Sequence, residues 1–279
     1  MKKFAWCVRI CILVLLIWTL WGNKAVQVTD LSLALDRLPE GFEGFRIAHL
    51  SDLHNTEFGK DNEKLLGLLR EAEPDIIAIT GDIVDSRRTD FAVALAFLEE
   101  AVKIAPCYYV TGNHEGRLSN YRELKNGMEA LGVAVLENKS AMLTAGGDTL
   151  TLMGIDDPNL ANDGLYGEKE VVTAARIQGL QTEETGFSIL LSHRPDLFDV
   201  YVRSGVDLVL SGHVHGGQFR LPFVGGLYAP SQGFFPEYDA GIFQRENTTM
   251  VVSRGLGNSA FPLRFNNRPE IVLITLSTQ

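Results

Sequence analysis

FRIAHLSD (residues 45–52) leads through DNEKLLGLLREAE (61–73) into PDIIAITGD (74–82), and FAVALAFLEEAVKI (91–104) then leads into CYYVTGNHE (107–115). Apolar runs of strand length alternate with segments of helical period, the pattern of strand–helix–strand units around a mostly parallel sheet. Upstream, VQVTDLSLALDRL (26–38) alternates as a strand and PEGFEG (39–44) reads as a turn. Downstream, a helix is expected over Leu118–Leu131, followed by VAVLEN, SAMLTAG and DTLTLMGI in a hairpin-like arrangement and by a surface loop over 156–167. FSILLSH (187–193), a helix near Pro195–Arg203, VDLVLSGH (206–213), a Gly- and aromatic-rich loop, and strands near TTMVVSRG (248–255) and EIVLITL (270–276) complete the chain. The expectation is one α/β domain with two packed sheets.

The N-terminus stands apart. Lys2 and Lys3 precede an apolar stretch, Phe4–Gly22, interrupted only by Arg9 and carrying Trp6, Trp18 and Trp21 near its ends. That is about the ~20 residues of a spanning helix with interfacial tryptophans. Residues 1–25 are therefore expected to form a membrane anchor or signal segment, and residues 26–279 the globular domain. No small-x-small cleavage pattern precedes Ala25, which favours an uncleaved anchor. The cationic flank before the stretch places the domain on the extracytoplasmic face of the cell membrane.

Residues 1–22 hold three basic and no acidic side chains, which leaves 22 basic against 35 acidic and a formal charge of −13 on the remainder. Such a surface repels a phosphate backbone, so a nucleic-acid partner is not expected. Cys7 and Cys11 lie in the apolar stretch and Cys107 stands alone in the domain. One cysteine builds neither an intrachain disulfide nor a zinc-thiolate site.

Chemistry gathers at the ends of the apolar runs. RIAHL is followed by Ser51-Asp52-Leu53-His54, DIIAIT by Gly81-Asp82, YYV by Thr111-Gly112-Asn113-His114-Glu115, SILL by Ser192-His193, and DLVL by Ser211-Gly212-His213-Val214-His215. Ligand sites of α/β sheets lie beyond the carboxyl ends of strands, so these oxygen and imidazole donors are expected to converge. Residues two apart on extended backbone point the same way, which would pair Asp52 with His54 and His213 with His215. Gly81, Gly112 and Gly212 allow tight turns and close approach. Five of the six histidines fall in this set; His49, inside a strand, is read as structural. Together the groups read as a metal site.

The series D-x-H (Asp52, His54), GDxxD (Gly81-Asp82 to Asp85), GNHE (Gly112 to Glu115), His193 and GHxH (Gly212 to His215) resembles the calcineurin-like metallophosphoesterase superfamily. GHVHGGQ, SHRPDLF and GLGNSAFPLRFNNRPEI (255–271) further resemble a membrane-associated bacterial branch of it. The resemblance implies a four-layer αββα sandwich of two mixed sheets flanked by helices. It also implies two divalent metal ions, manganese first, with iron, zinc, cobalt or nickel as alternatives. Asp52, His54, Asp82 and His215 would hold one ion, and Asp82, Asn113, His193 and His213 the other, with Asp82 bridging. A hydroxide between the metals would attack phosphodiester, phosphomonoester or pyrophosphate bonds. His114 would be the catalytic general acid, and Asp85 and Glu115 orienting groups or helix caps rather than ligands.

The substrate is expected to be a phosphate ester, membrane-associated or lipid-linked, since the anchor confines the site to the membrane. Phe234 and Phe235 of GGLYAPSQGFFPEYDAGIF (225–243) would contact lipid, or else pin that loop to the domain; Arg264 would meet a substrate phosphate or form a surface ion pair. Two alternatives stand beside this reading. One is a UDP-2,3-diacylglucosamine diphosphatase-type hydrolase, whose cytoplasmic chemistry opposes the expected topology. The other is a non-catalytic membrane-tethered metal-binding scaffold.

Overall fold

The apolar runs become strands because both of their faces find cover. In a computed structural model, which describes residues 2–160, 168–182, 185–258 and 261–279, they form two six-stranded sheets. The first half runs α1 (Lys2–Gly22), β1 (Gln27–Leu35), β2 (Arg46–Leu50), α2 (Glu63–Ala72), β3 (Ile76–Thr80), α3 (Phe91–Ala101), β4 (Cys107–Val110) and α4 (Tyr121–Ala130). Next come β5 (Ala134–Val135), β6 (Lys139–Ala145), β7 (Asp148–Gly154), α5 (Lys169–Leu180), β8 (Ser188–Leu191), α6 (Phe198–Arg203) and β9 (Leu208–Ser211). Two short ribbons, β10 (Arg220–Leu221) with β11 (Gly225–Gly226) and β12 (Tyr228–Ala229) with β13 (Gly233–Phe234), precede β14 (Gly241–Arg245), β15 (Thr248–Val252) and β16 (Glu270–Thr278).

One sheet has the order β1-β16-β2-β3-β4-β5, the other β14-β15-β9-β8-β7-β6. The β2–β3–β4–β5 pairings are parallel, as are β7–β8–β9–β15, while β16 is antiparallel to β2 and β14 to β15. Alternation along the strands explains the layers. Ile47, Ala78, Ile189, Leu210 and Ile274 face into the space between the sheets, whereas Ile77, Ile79 and Leu50 pack with Leu65, Leu69, Phe97 and Leu124 of the first helical layer. Val209 and Leu190 turn outward onto Ile177, Phe198 and Tyr201 of the second. The result is the four-layer αββα sandwich of two mixed sheets.

Two expectations change in detail. α5 carries little sequence signal: no side chain caps its N-terminus and only Val172, Thr173, Arg176 and Ile177 are buried, so its apolar face is narrow. Ala134–Val135, expected beside the hairpin, instead adds a parallel edge to the first sheet; the β6–β7 hairpin alone lies in the second. Of the loop expected over 156–167, residues 161–167 lie outside the described residues, as do Ser259 and Ala260 of the C-terminal motif.

Both parallel cores point their carboxyl ends at one place. Residues 51–54, 81–85, 111–115 and 192–194 follow β2, β3, β4 and β8, and 212–217 follow β9, so the site straddles the two sheets.

Candidate metal centre

Each candidate donor sits just past a strand end, and five of the seven stand on left-handed rather than extended backbone. Asp52, His54, Asp82, His213 and His215 have φ of 55°, 47°, 51°, 72° and 48°. Left-handed backbone is uncommon outside glycine, costs on the order of 1–3 kcal/mol per residue and concentrates at functional sites. Asp52–His54 and His213–His215 therefore converge, but through curled loops; the expectation that extended backbone aims them is corrected. The glycines make those loops possible. A Cβ on Gly112 would lie 2.3 Å from Asp82 Oδ1, and one on Gly212 would lie 1.8 Å from Ser51 Oγ and 2.5 Å from Asp52 Oδ2.

The side chains meet in three overlapping groups: Asp52, His54 and His215; His54, Asp82 and His114; Asp82, His193 and His213. Within each group one donor atom per residue lies within 4.8 Å of the others, and all of these residues are buried. His54 Nε2 is 3.7 Å from Asp52 Oδ1 and 3.7 Å from Asp82 Oδ2; His193 Nε2 is 3.3 Å from Asp82 Oδ2, and His215 Nε2 is 3.5 Å from Asp52 Oδ1. Asn113 lines the same cavity of about 330 Å³ with Asp82, His114, His213 and His215.

The hydrogen bonds behind these donors aim them. His114 N–H donates to Asp82 Oδ1 at 2.7 Å and His213 N–H to Asp52 Oδ2 at 2.9 Å, so each carboxylate is held by one oxygen and presents the other. His193 Nδ1 donates to the Thr80 carbonyl at 2.6 Å, which turns Nε2 toward Asp82. Glu115 accepts from the N–H groups of Asp82, Gly112 and Val84 and so ties the β3 loop to the β4 loop. Asp85 accepts from Arg87 N–H and lies 3.4 Å from His114 Nδ1. The Ser86 N–H donates to that nitrogen at 3.0 Å, so a neutral His114 carries its proton on Nε2.

Electrostatics mark the same cluster. Burial disfavours charge on Asp82, but the His193 and His54 rings overcome it and hold the carboxyl below its ordinary range. For His193 burial works against the charged ring, yet Asp82 outweighs it and lifts the group to about 10. Burial lowers His215 to about 3 and His114 to about 4 against the pull of nearby carboxylates. Glu115 is raised to about 7 by burial and by the Asp82 charge. Opposed shifts among adjacent groups are what a functional cluster produces.

The residues fit divalent cations by an independent mark. Asp52 Oδ1, His54 Nδ1, His54 Nε2 and Asn113 Oδ1 are buried and have no hydrogen-bond partner. Each such group costs about 1–3 kcal/mol when left unmet. Oxygen and imidazole donors without thiolate suit first-row divalent ions.

His49 is structural, as expected: it is fully buried in β2 with Nε2 2.8 Å from Thr80 Oγ1. Cys107 is buried in β4, its thiol pushed up to about 12 by burial. Arg264 meets neither expectation. It is 1% exposed, donates to the Gly257, Arg254 and Asn258 oxygens, and faces His215 Nδ1 at 3.3 Å, supporting that ring from behind. Phe234 and Phe235 are 71% and 62% exposed, although Phe234 packs edge-on against Tyr228. Arg194 escaped the sequence reading: it is buried, paired with Asp157 at 2.5 Å, and donates to His213 Nε2 at 2.9 Å. Its only signal is its place directly after His193.

Residues 45–217 match the family described as Calcineurin-like phosphoesterase, a span that contains every candidate donor. The chain belongs to that family. It is 34% identical over 261 residues to the uncharacterized metallophosphoesterase YkuE of Bacillus subtilis (strain 168), covering 91% of this chain and 86% of that protein. Phosphodiesterase YaeI of Escherichia coli (strain K12) is 27% identical, with 83% and 82% covered. A Danio rerio transmembrane protein with metallophosphoesterase domain is 30% identical over 90% of this chain and 57% of its own length. Among solved structures, TT1561 of Thermus thermophilus shares the fold with a TM-score of 0.53 at 14% identity, covering 76% of this chain and 90% of that one.

Proposed function

We propose that this family member is a membrane-tethered phosphoesterase with a dinuclear metal centre, hydrolysing phosphodiester or pyrophosphate bonds of lipid-linked substrates. The observation that carries the reading is that Asp52, His54 and Asn113 bury donor atoms without hydrogen-bond partners in the same cluster as Asp82, itself common to two of the three donor groups. Asp52, His54, Asp82 and His215 would hold one cation, and Asp82, Asn113, His193 and His213 the other. Bound there, the pair would neutralise phosphoryl charge and lower the pKa of a water.

The chain's own residues do the remainder. His114 would give a proton from Nε2 to the departing oxygen once its ring is charged, with the Asp85 carboxylate 3.4 Å from Nδ1 placed to favour that charged form. Arg194 and Arg264 pack beside the His213 and His215 rings and confine them, and Glu115 fixes the two loops that carry Asp82 and Asn113.

Attachment to a membrane is supported by α1, long and apolar enough to cross one, and by relatives named as transmembrane proteins. The helix end is joined to the domain: Trp18 packs on Phe265, the Asn23 side chain exchanges hydrogen bonds with the Arg264 backbone, and Arg268 lies 5.0 Å over Trp21. The Phe265 backbone bridges that of Phe219, whose ring packs on Phe261 at the cavity wall, so the end of α1 is tied through this segment to the site. That link places the cavity near the membrane end of the domain, which favours a lipid-linked substrate. The cationic residues before α1 favour a domain outside the cytoplasm.

The test uses the full chain in detergent with Mn²⁺ and bis(p-nitrophenyl) phosphate. Hydrolysis is expected, and Asp82→Asn is expected to lower it by at least about a thousandfold, on the scale of losing several kcal/mol of transition-state stabilisation. Bound metal without turnover in the unaltered chain would favour the scaffold instead.

A further inference from the structure

The wall of the cavity departs from the charge of the chain. Acidic side chains outnumber basic ones 35 to 25, yet Asp82 is the sole carboxylate among the described lining residues, where Arg87, Arg117, Lys169 and Arg194 all appear. Arg194 is committed to Asp157. Arg87, Arg117 and Lys169 form no ion pair with a carboxylate among the described residues, although Lys169 lies near enough to Asp196 to act on it. Arg87 and Arg117 are exposed and Lys169 is half-buried.

Their positions are not scattered. Arg87 follows Ser86, whose N–H and hydroxyl both contact His114 Nδ1, and the Arg117 N–H donates to the His114 carbonyl. Lys169 is the first residue of α5, where the helix dipole disfavours a cation. Two of the three cations thus flank the residue assigned to the departing oxygen, and the third stands on the same cavity wall.

We infer that Arg87, Arg117 and Lys169 read a second anionic group on the leaving side of the substrate, so that the preferred bond is a phosphoric anhydride rather than an ester of a neutral alcohol. This rests on the phosphoesterase reading above and narrows its substrate. One water is consumed: its oxygen gives up its protons to solvent and bonds to one phosphorus, the bond from that phosphorus to the bridging oxygen breaks, and the bridging oxygen leaves with the bonding pair on the second phosphate. Two phosphomonoesters result. The departing group is an anion whose charge grows as the bond breaks, and fixed cations beside it act most strongly at that point. An alcohol leaving group develops charge on one oxygen as well but brings no second phosphate for these cations to hold.

Uridine diphosphate glucose, an anhydride, and bis(p-nitrophenyl) phosphate, a diester with one charge, serve as the paired probes for the full chain with Mn²⁺. The quantity read is the ratio of kcat/KM for the anhydride over that for the diester. Arg87→Ala, Arg117→Ala and Lys169→Ala are each expected to lower the ratio about tenfold, the size of one charge-assisted contact, and Arg117→Lys to restore most of it. A ratio unmoved by all three, or hydrolysis of the diester with none of the anhydride, overturns the inference and leaves the phosphoesterase reading standing. Turnover of neither probe by the unaltered chain removes both.

Discussion

Glu115 shows how one side chain can organise a site without offering it a ligand. Its carboxylate accepts from the N–H groups of Asp82 and Gly112 at 2.8 and 2.7 Å, locking the β3 loop to the β4 loop. Burial and the charge of Asp82 outweigh those donors and raise it to about 7. A folded value above the ordinary 4.5 favours the neutral acid in the folded chain, so its contribution to stability is in place below about 4.5 and is lost as pH rises through about 7. Glu115→Gln removes that dependence. Denaturant midpoints of the metal-free chain across this window are expected to fall with pH more steeply for the unaltered protein than for the variant. Parallel pH profiles would show that Glu115 is already ionised throughout. The residue was legible only as an orienting group in GNHE, because its partners are backbone amides that no spacing reveals.

At the scale of elements, strands deliver the donors and glycines let the loops curl. Both-face burial made the parallel strands readable as continuous apolar runs, and the residues at their carboxyl ends were readable as the seven candidate donors. The reason for the pairing was not readable: Asp52 and His54, or His213 and His215, share a direction in left-handed backbone as well as on an extended strand. Arg194 and Arg264 were missed or misplaced because their partners arrive from distant loops, and α5 because its buried face is narrow. Gly212 tests the loop argument. Its added Cβ would meet Ser51 Oγ at 1.8 Å and the candidate ligand Asp52 at 2.5 Å, whereas Gly132, at φ +89°, has nothing within 4 Å of its added Cβ. Gly132→Ala is expected to cost only the backbone strain of about 1–2 kcal/mol. Gly212→Ala is expected to weaken Mn²⁺ binding at least about tenfold, as displacing a ligand's supports does. Calorimetric titration of the two variants separates a crowded site from a merely strained chain; equal affinities would refute the crowding.

Over the whole molecule, the donors come from both sheets: Asp52, His54, Asp82 and Asn113 follow strands of one, and His193, His213 and His215 follow strands of the other. The space between the sheets is filled by apolar side chains such as Ile47, Ile189, Leu210 and Ile274, which hold the layers together without fixing the site end. Cations bound across that end would act as a clasp, and the metal-free chain would carry the unmet donors and left-handed turns without compensation. An ion that binds only the folded state stabilises it by about 2.7 kcal/mol at a hundred times its Kd. For a chain of this size that corresponds to a rise in Tm of roughly 5 °C. Calorimetry of the full chain in detergent is expected to show a rise of this size with Mn²⁺ and its reversal by a chelator. Asp82→Asn is expected to remove most of the rise, because that side chain belongs to two donor groups. His49→Gln, which alters a buried histidine outside the groups, is expected to lower the starting Tm while leaving the increment intact. An increment that survived Asp82→Asn would mean that the stabilising ion sits elsewhere and that the two sheets are not joined through Asp82.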